Sequence, residues 1–438
     1  MRMRVATITV GILALGSAGH AQTQGTPAPA ASPYIDAVAG LTLDDAIARA
    51  LEREPALRAS RSQVDVARGL RAQAALRPNP SVSFSQQQQP AGSDNQTRIE
   101  VQWPLDLFRR AGRVAVAERE IDAARQAAAD RERLLAADVR VTYGAVAAAA
   151  RSLSITEQLL SATTRQRALV ASQVDQGAVP SLDRDMLRVE VQRLEAERLL
   201  QLGAVDRQMY ELKRLLGMPA GASLALRQPL EELVRQDAEP GPDASRALTA
   251  RPDVLEAEAR VRAGEAQIDR ARREGRPEVS VFGMYMRMDA GFPQQGLIAP
   301  GAFEPIRGVF HYLSAGAVVT VPLQNRNQGA VAAAEAERTG AAAQLEAVRL
   351  SGQTEMAAAR SRDRHARQAL EAYSGDAITL ARHNLDVVRQ TYELGRGTLL
   401  DVLNEQRRYL DVQRSYTDVL REAFDARQTL KAALGEIR

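Results

Sequence analysis

The chain has no cysteine, so it holds neither a disulfide framework nor a thiolate metal cluster, and no lipid can be attached through a cysteine. Lysine is nearly absent, standing only at 213 and 431, and the basic complement of 57 residues is otherwise arginine. Set against 54 acidic residues this leaves a net charge of +3, too balanced to argue for nucleic acid or for an acidic partner. Only four histidines occur, His20, His311, His365 and His383, none with a second histidine or a cysteine at ligand spacing, so no metal site is expected. There is no Ser-His-Asp order, no phosphate-binding glycine loop and no HExxH, so an enzyme is not expected, nor any cofactor. After the first residues no apolar run is long enough for a membrane-spanning helix; if the mature chain crosses a membrane, it does so by strands.

The N-terminus MRMRVATITVGILALGSAGHAQ has arginines, an apolar run from Val5 to Leu15 and small residues up to Ala21, which reads as a secretory signal peptide over 1–21. An Ala- and Pro-rich stretch over 22–40 then reads as a flexible leader.

What the chain does contain is a repeat. Gly177 and Gly395 are 218 positions apart, as are Asp183 and Asp401, and Leu216-Gly217 and Leu434-Gly435. Further upstream the spacing is 197, between Pro55 and Pro252 and between Pro80 and Pro277. The difference is an insertion in AGFPQQGLIAPGAFEPIRG, whose Gly and Pro content reads as a loop. The chain is thus a tandem duplication: a first structural repeat over 41–217 with a β-hairpin near 79–106, an inter-repeat equatorial segment over 218–245, and a second repeat over 246–438 with a β-hairpin near 277–322.

From Gly112 to Asp175, and again from Gln328 to Glu393, the composition is Ala, Arg, Glu and Leu without proline, predicting helices far longer than the usual ~12 residues. Apolar positions at Tyr409, Val412, Tyr416, Val419, Ala423, Ala426 and Leu430, and at Leu202, Val205, Met209, Leu212 and Leu216, predict one packing stripe on each returning helix. The glycines Gly177 and Gly395 therefore mark the tips of two antiparallel helical hairpins.

Thr97, Ile99, Val101 and Trp103 alternate with Arg98, Glu100 and Gln102, and Val82 and Phe84 alternate with serines. Strands with one apolar and one polar face suit a transmembrane barrel, and two hairpins per chain are too few to close one. Open edges cannot face lipid, so several copies must join. Trp103 and Tyr312, near strand ends, are expected in an interfacial aromatic girdle.

The duplicated plan, the tip YELGRGTLLDVL with its helix closing on LKAALG, and the first tip QGAVPSLD resemble the TolC family of outer-membrane efflux channels over essentially the whole chain from Leu41 to Gly435. LRPNPSVS and VPLQNRNQGAV are similar to the CzcC branch, which serves cobalt, zinc and cadmium efflux. The resemblance implies a mostly helical α+β fold in which long α-helical hairpins form a periplasmic α-barrel and the β-hairpins contribute to a trimeric transmembrane β-barrel of about twelve strands. It implies a passive conduit in the Gram-negative outer membrane, partnered by a periplasmic membrane-fusion adaptor and an inner-membrane resistance-nodulation-division pump. It also implies an acidic gate on the last helix, where Asp401-Val402-Leu403-Asn404 keeps the first acid of the family pattern and replaces the second by an amide.

Asp183, Asp401, Asn404 and Glu405 are accordingly expected at the periplasmic gate, with Asp175 a further acid beside it. Asp183 and Asp401 also begin returning helices, where a carboxylate accepts free N–H groups. Gly177, Ala178 and Val179, with Gly395, Arg396, Gly397 and Thr398, are expected to form the adaptor-docking tip. Two other readings stay open: a channel of the same type for drugs or proteins, and a periplasmic coiled-coil adaptor or scaffold.

Overall fold

The computed structural model describes residues 33–90, 94–236, 244–374 and 377–437. The expected signal peptide over 1–21 lies outside them. In chain order the elements are α1 (Leu43–Arg53), α2 (Pro55–Ala74), β1 (Ser81–Gln88), β2 (Asn95–Pro104), α3 (Arg109–Asp175), α4 (Ser181–Leu215), α5 (Leu230–Gln236), α6 (Ala244–Ala250), α7 (Pro252–Glu274), β3 (Glu278–Ala299), β4 (Ala302–Thr320), α8 (Gln328–Ser374), α9 (Ala377–Glu393) and α10 (Leu399–Ala433). The fold is mostly helical with one antiparallel sheet. At ~1.5 Å per residue, the 67 residues of α3 span about 100 Å.

The core sits where the long helices meet the short ones. Leu135, Val139 and Tyr143 of α3 pack with Leu212, Leu215 and Leu216 at the end of α4 and with Leu420 and Phe424 of α10. Position 144, inside α3, is glycine because a Cβ there would lie 2.4 Å from the Phe424 ring. Tyr143 is fully buried, and its hydroxyl donates to the Leu41 carbonyl at 2.8 Å. Residues 33–40, expected to be flexible, are instead tied down: Ile35 and Leu41 both bridge Leu226, and Asp36 N–H donates to the Leu226 carbonyl.

The arginine-rich composition has a use here. Arg133 donates to the Ala432 carbonyl, Arg251 to Ala433, and Arg140 to Glu436 and Ile437, so three guanidinium groups gather on the C-terminal end of α10. Cations stabilise that end of a helix, and the planar fork can serve a carbonyl and a carboxylate together.

The four strands run in the order β1-β2-β3-β4, all neighbours antiparallel. The insertion expected as a loop is a continuation of the β3–β4 ribbon, which turns at Gly301. The extra residues of β3 are absorbed by register shifts between Gly291 and Gln295 and between Leu297 and Ala299, since a bulge takes up an extra residue without ending the ladder.

On α4 the buried stripe is the expected one, with Val205, Met209, Leu212 and Leu216 inside. On the tip half of α10 it is offset by one position. Gln406, Leu410, Gln413, Thr417 and Leu420 are buried, while Tyr409, Val412, Tyr416 and Val419 are half-buried beside them. The polar members face partners on α3: Gln406 donates to Thr163, and Arg151 donates to Gln413 Oε1 and contacts Thr417.

Candidate functional site: the helical tip and the strand wall

Both tips end their descending helix in the same way. At the first, Gly177 has φ of 73°, its N–H donates to Val174 and that of Ala178 to Gln173; at the second, Gly395 has φ of 71°, its N–H donates to Tyr392 and that of Arg396 to Thr391. These paired bonds form a Schellman cap, and the positive φ explains the glycine. Gly217 and Gly435 end α4 and α10 with the same bond pattern.

The returning helices begin differently, although their acids are repeat-equivalent. Thr398 caps α10: its hydroxyl accepts from Asp401 N–H at 3.3 Å, and Asp401 Oδ2 accepts from Thr398 N–H at 3.1 Å and from its hydroxyl at 2.6 Å. This reciprocal capping box satisfies two free N–H groups and holds the Asp401 carboxyl below its ordinary value, through the Thr398 hydroxyl first and its N–H second. In α4 the cap position is Pro180, which has no side-chain acceptor. The Asp183 carboxylate does not take up a helix N–H there as expected; it accepts from the Tyr392 hydroxyl of the other hairpin at 3.1 Å. Burial, and then the bond to Asp183, push the Tyr392 hydroxyl up to about 12. Sequence reasoning passed over Tyr392, although it opens the quoted tip.

Between the hairpins lies a cleft of about 680 Å³ lined by Val179, Asp183, Tyr392, Gly395, Thr398 and Leu399. Val170 and Leu399 of its lining belong to an apolar cluster with Leu187, Val402 and Leu403. Ala178, Arg396 and Asn404 are exposed, as is Asp175 at the C-terminal end of α3, while Gly397 is half-exposed. Glu405 is half-buried and pairs with Arg408 at 3.4 Å.

At the strand end, the register sorts side chains by face. Phe84, Ile99, Tyr285 and Leu313 form one cross-strand row, Val82, Val101, Gly283 and Ala315 the next, and Trp103, Val281 and Ala317 a third. This face is apolar and exposed, with Phe84 at 67% and Leu313 at 87%. Trp103 lies at one margin of these rows, its indole N–H donating to the Pro78 carbonyl at 3.1 Å. Tyr312 does not share that face, which corrects the expected girdle: it pairs with Met286, in the row of Arg98 and Ser85. The aromatic on the apolar face at the other margin is Tyr285, whose hydroxyl bonds His311 Nδ1 at 2.8 Å.

His365 and His383 lie on α8 and α9 respectively. Among the described residues no three His, Cys, Asp or Glu side chains are grouped to hold a metal ion. NRNQ, within the second branch motif, forms a hydrogen-bonded turn: Asn327, with φ of 63°, donates to the Ala271 carbonyl, and Gln328 accepts from Arg326 N–H.

The outer membrane efflux protein family model matches residues 46–218 and 244–436, thus both halves of the duplication. The chain belongs to that family. Outer membrane protein OprJ of Pseudomonas aeruginosa is 28% identical over 358 residues, covering 77% of this chain and 70% of OprJ. The fold is similar to that of CusC, described in terms of transmembrane channel formation, at a TM-score of 0.73 and 20% identity over 90% of this chain and 92% of that one. It is also similar to the open state of the MtrE outer membrane channel of Neisseria gonorrhoeae, at a TM-score of 0.69 and 18% identity over 90% and 89%. The protein is therefore an outer-membrane efflux channel, a passive conduit and not an enzyme. The scaffold reading falls with that assignment, and the apolar strand face is the one suited to lipid.

Proposed function

We propose that three copies of this chain close one barrel in the outer membrane and one helical conduit beneath it, and that the tips dock a periplasmic adaptor served by an inner-membrane resistance-nodulation-division pump. The observation that carries this reading is the open sheet. β1 and β4 each have a free edge, and lipid offers no hydrogen bonds to replace a missing neighbour. Pairing β4 of one copy with β1 of the next removes both edges, and four strands from each of three copies make a barrel of about twelve.

The tip residues take two roles in this reading. Asp183, Asp401, Asn404 and Glu405 surround the periplasmic entrance, where repeated acids attract cations. Gly177, Ala178, Val179, Gly395, Arg396, Gly397 and Thr398 present the contact for the adaptor. The cargo is heavy-metal cations, on the strength of LRPNPSVS and VPLQNRNQGAV, which look like the cobalt-zinc-cadmium branch. Light scattering of the protein in mild detergent should give three chains per particle; a homogeneous monomer overturns the assembly. Deleting the gene should lower zinc and cadmium tolerance, and unchanged tolerance to every metal tried, with lowered tolerance to organic toxicants, overturns the cargo.

A further inference from the structure

Met284, Met286 and Met288 occupy alternate positions of β3, so all three project from one face. The register places them opposite the apolar face: Met284 stands across from Glu100 and Ser314, Met286 from Arg98 and Tyr312, Met288 from Gln96 and Phe310. They are half-buried, whereas the intervening Tyr285 and Arg287 are exposed. The Gln96 amide engages the Met286 sulfur. The corresponding face of β1 carries Ser81, Ser83 and Ser85, the polar lining ordinary for a channel lumen. Three of the nine methionines of the chain thus fall within five residues, on a wall where hydration favours serine.

We propose that this stripe is a binding site for soft monovalent cations, Cu(I) or Ag(I), on the barrel wall. The thioether is a soft, uncharged donor that selects such ions. A neutral ligand set suits a single positive charge; zinc or cobalt, more strongly hydrated and divalent, asks for imidazole or carboxylate, and among the described residues no three such side chains are grouped to hold a metal ion. Adjacent methionines have Cα atoms ~6.8 Å apart along the strand, and three rotatable bonds let neighbouring sulfurs close on one ion. Met286 can pair with Met284 or with Met288, which gives two overlapping positions along the exit path. The rings of Tyr312 and Phe310 on β4 offer cation–π faces beside them. Glu100 supplies a negative charge across from Met284, and Arg98 opposes it across from Met286, so the site is nearly neutral without its ion. This site rests on the metal-channel reading and adds soft monovalent ions to the cations which that reading covers.

The test uses the full chain purified in detergent and titrated with silver nitrate in chloride-free buffer, read by calorimetry and by silver X-ray absorption. Silver should bind with sulfur neighbours, and M284L/M286L/M288L, which keeps apolar volume, should weaken binding at least tenfold with the oligomer unchanged. M186L/M218L should bind as the parent does. Equal affinity of the parent and the triple variant, or no silver binding by the parent, overturns the site. A channel that binds silver through these methionines but raises tolerance to no metal in cells, silver included, keeps the site and overturns the metal-export reading.

Discussion

The Tyr392 hydroxyl donates to the Asp183 carboxylate at 3.1 Å, so the tip of the second hairpin is tied to the first through a bond between non-equivalent positions of the duplication. Its loss by Y392F should weaken the tie by about 1 kcal/mol, the net worth of one hydrogen bond. Single-channel conductance in planar bilayers should rise, and D183A, which removes the acceptor, should do the same without adding to Y392F in the double variant. Folded Tyr392 keeps its proton to about 12 against an ordinary 10, so the tie is complete below pH 10 and is lost as pH climbs toward 12. Parent-like conductance in both single variants would remove the tie from any gating role.

Asp401 offers a second pH effect, of opposite direction. The capping box lowers its pKa from the ordinary 3.8, so the ionised form stabilises the folded tip above that value and the contribution is lost as pH falls below it. Protection at Val402 and Leu403, taken relative to the intrinsic exchange rate at each pH, should fall on acidification in the parent and stay nearly flat in D401N. T398A should speed exchange at neutral pH, by about 1 kcal/mol of opening free energy. A D401N helix that loses protection on acidification as the parent does would make Asp401 a gate acid without a capping role.

Arg251 joins the second repeat to the end of α10. Its side chain is 2% exposed, and it bonds Asp253 at 2.6 Å, Glu355 at 2.9 Å and the Ala433 carbonyl at 3.1 Å. Burial raises the Asp253 carboxyl, but the Arg251 bond and charge outweigh it and hold that group low. R251A leaves Asp253 with only the Val254 N–H and Arg133 at 3.9 Å, and takes the donor from the Ala433 carbonyl, at a cost of about 1–3 kcal/mol. R251K should recover only part, because an ammonium cannot fork between two carboxylates and a carbonyl. Thermal unfolding in detergent would show both, and full recovery in R251K would reduce the site to simple charge.

Much of this was legible in the sequence because repetition writes itself in spacing: the 218-residue interval located Gly177 and Gly395, and both carry the positive φ that a helix stop requires. What was illegible depends on a partner far along the chain. Gln406, Gln413 and Thr417 look like surface residues until Thr163 and Arg151 of α3 are seen against them. Trp103 and Tyr312 look alike as strand-end aromatics, and only the register puts them on opposite faces. Glycines at 291 and 296 suggest a loop locally, yet the long ladder between β3 and β4 carries the chain through them.

The part of that ladder beyond Tyr285 lies on the opposite side of the apolar rows from the helices, so it should stand outside the cell. Glu304 is exposed on it, and the chain has no other cysteine to confuse labelling. E304C should react with a membrane-impermeant maleimide in whole cells. Labelling that requires a broken outer membrane would reverse the topology.

The final prediction separates docking from folding by comparing two glycines of the same backbone conformation. Gly395 has φ of 71° and a Cβ there would meet nothing within 4 Å; at Gly217, with φ of 63°, it would lie 2.7 Å from the Arg53 carbonyl. A side chain at Gly395 therefore costs only the left-handed backbone term, ~1–2 kcal/mol, whereas at Gly217 it also forces α1 away from the end of α4. G217A should lower the yield of assembled channel, and G395A should leave it unchanged. G395E then adds a charge to a tip that assembles normally, and an uncompensated charge desolvated at a contact is strongly unfavourable. If the adaptor caps this tip, G395E should abolish metal tolerance at parental channel yield, with G395A close to the parent. Parental tolerance in G395E would place the adaptor contact elsewhere on the channel.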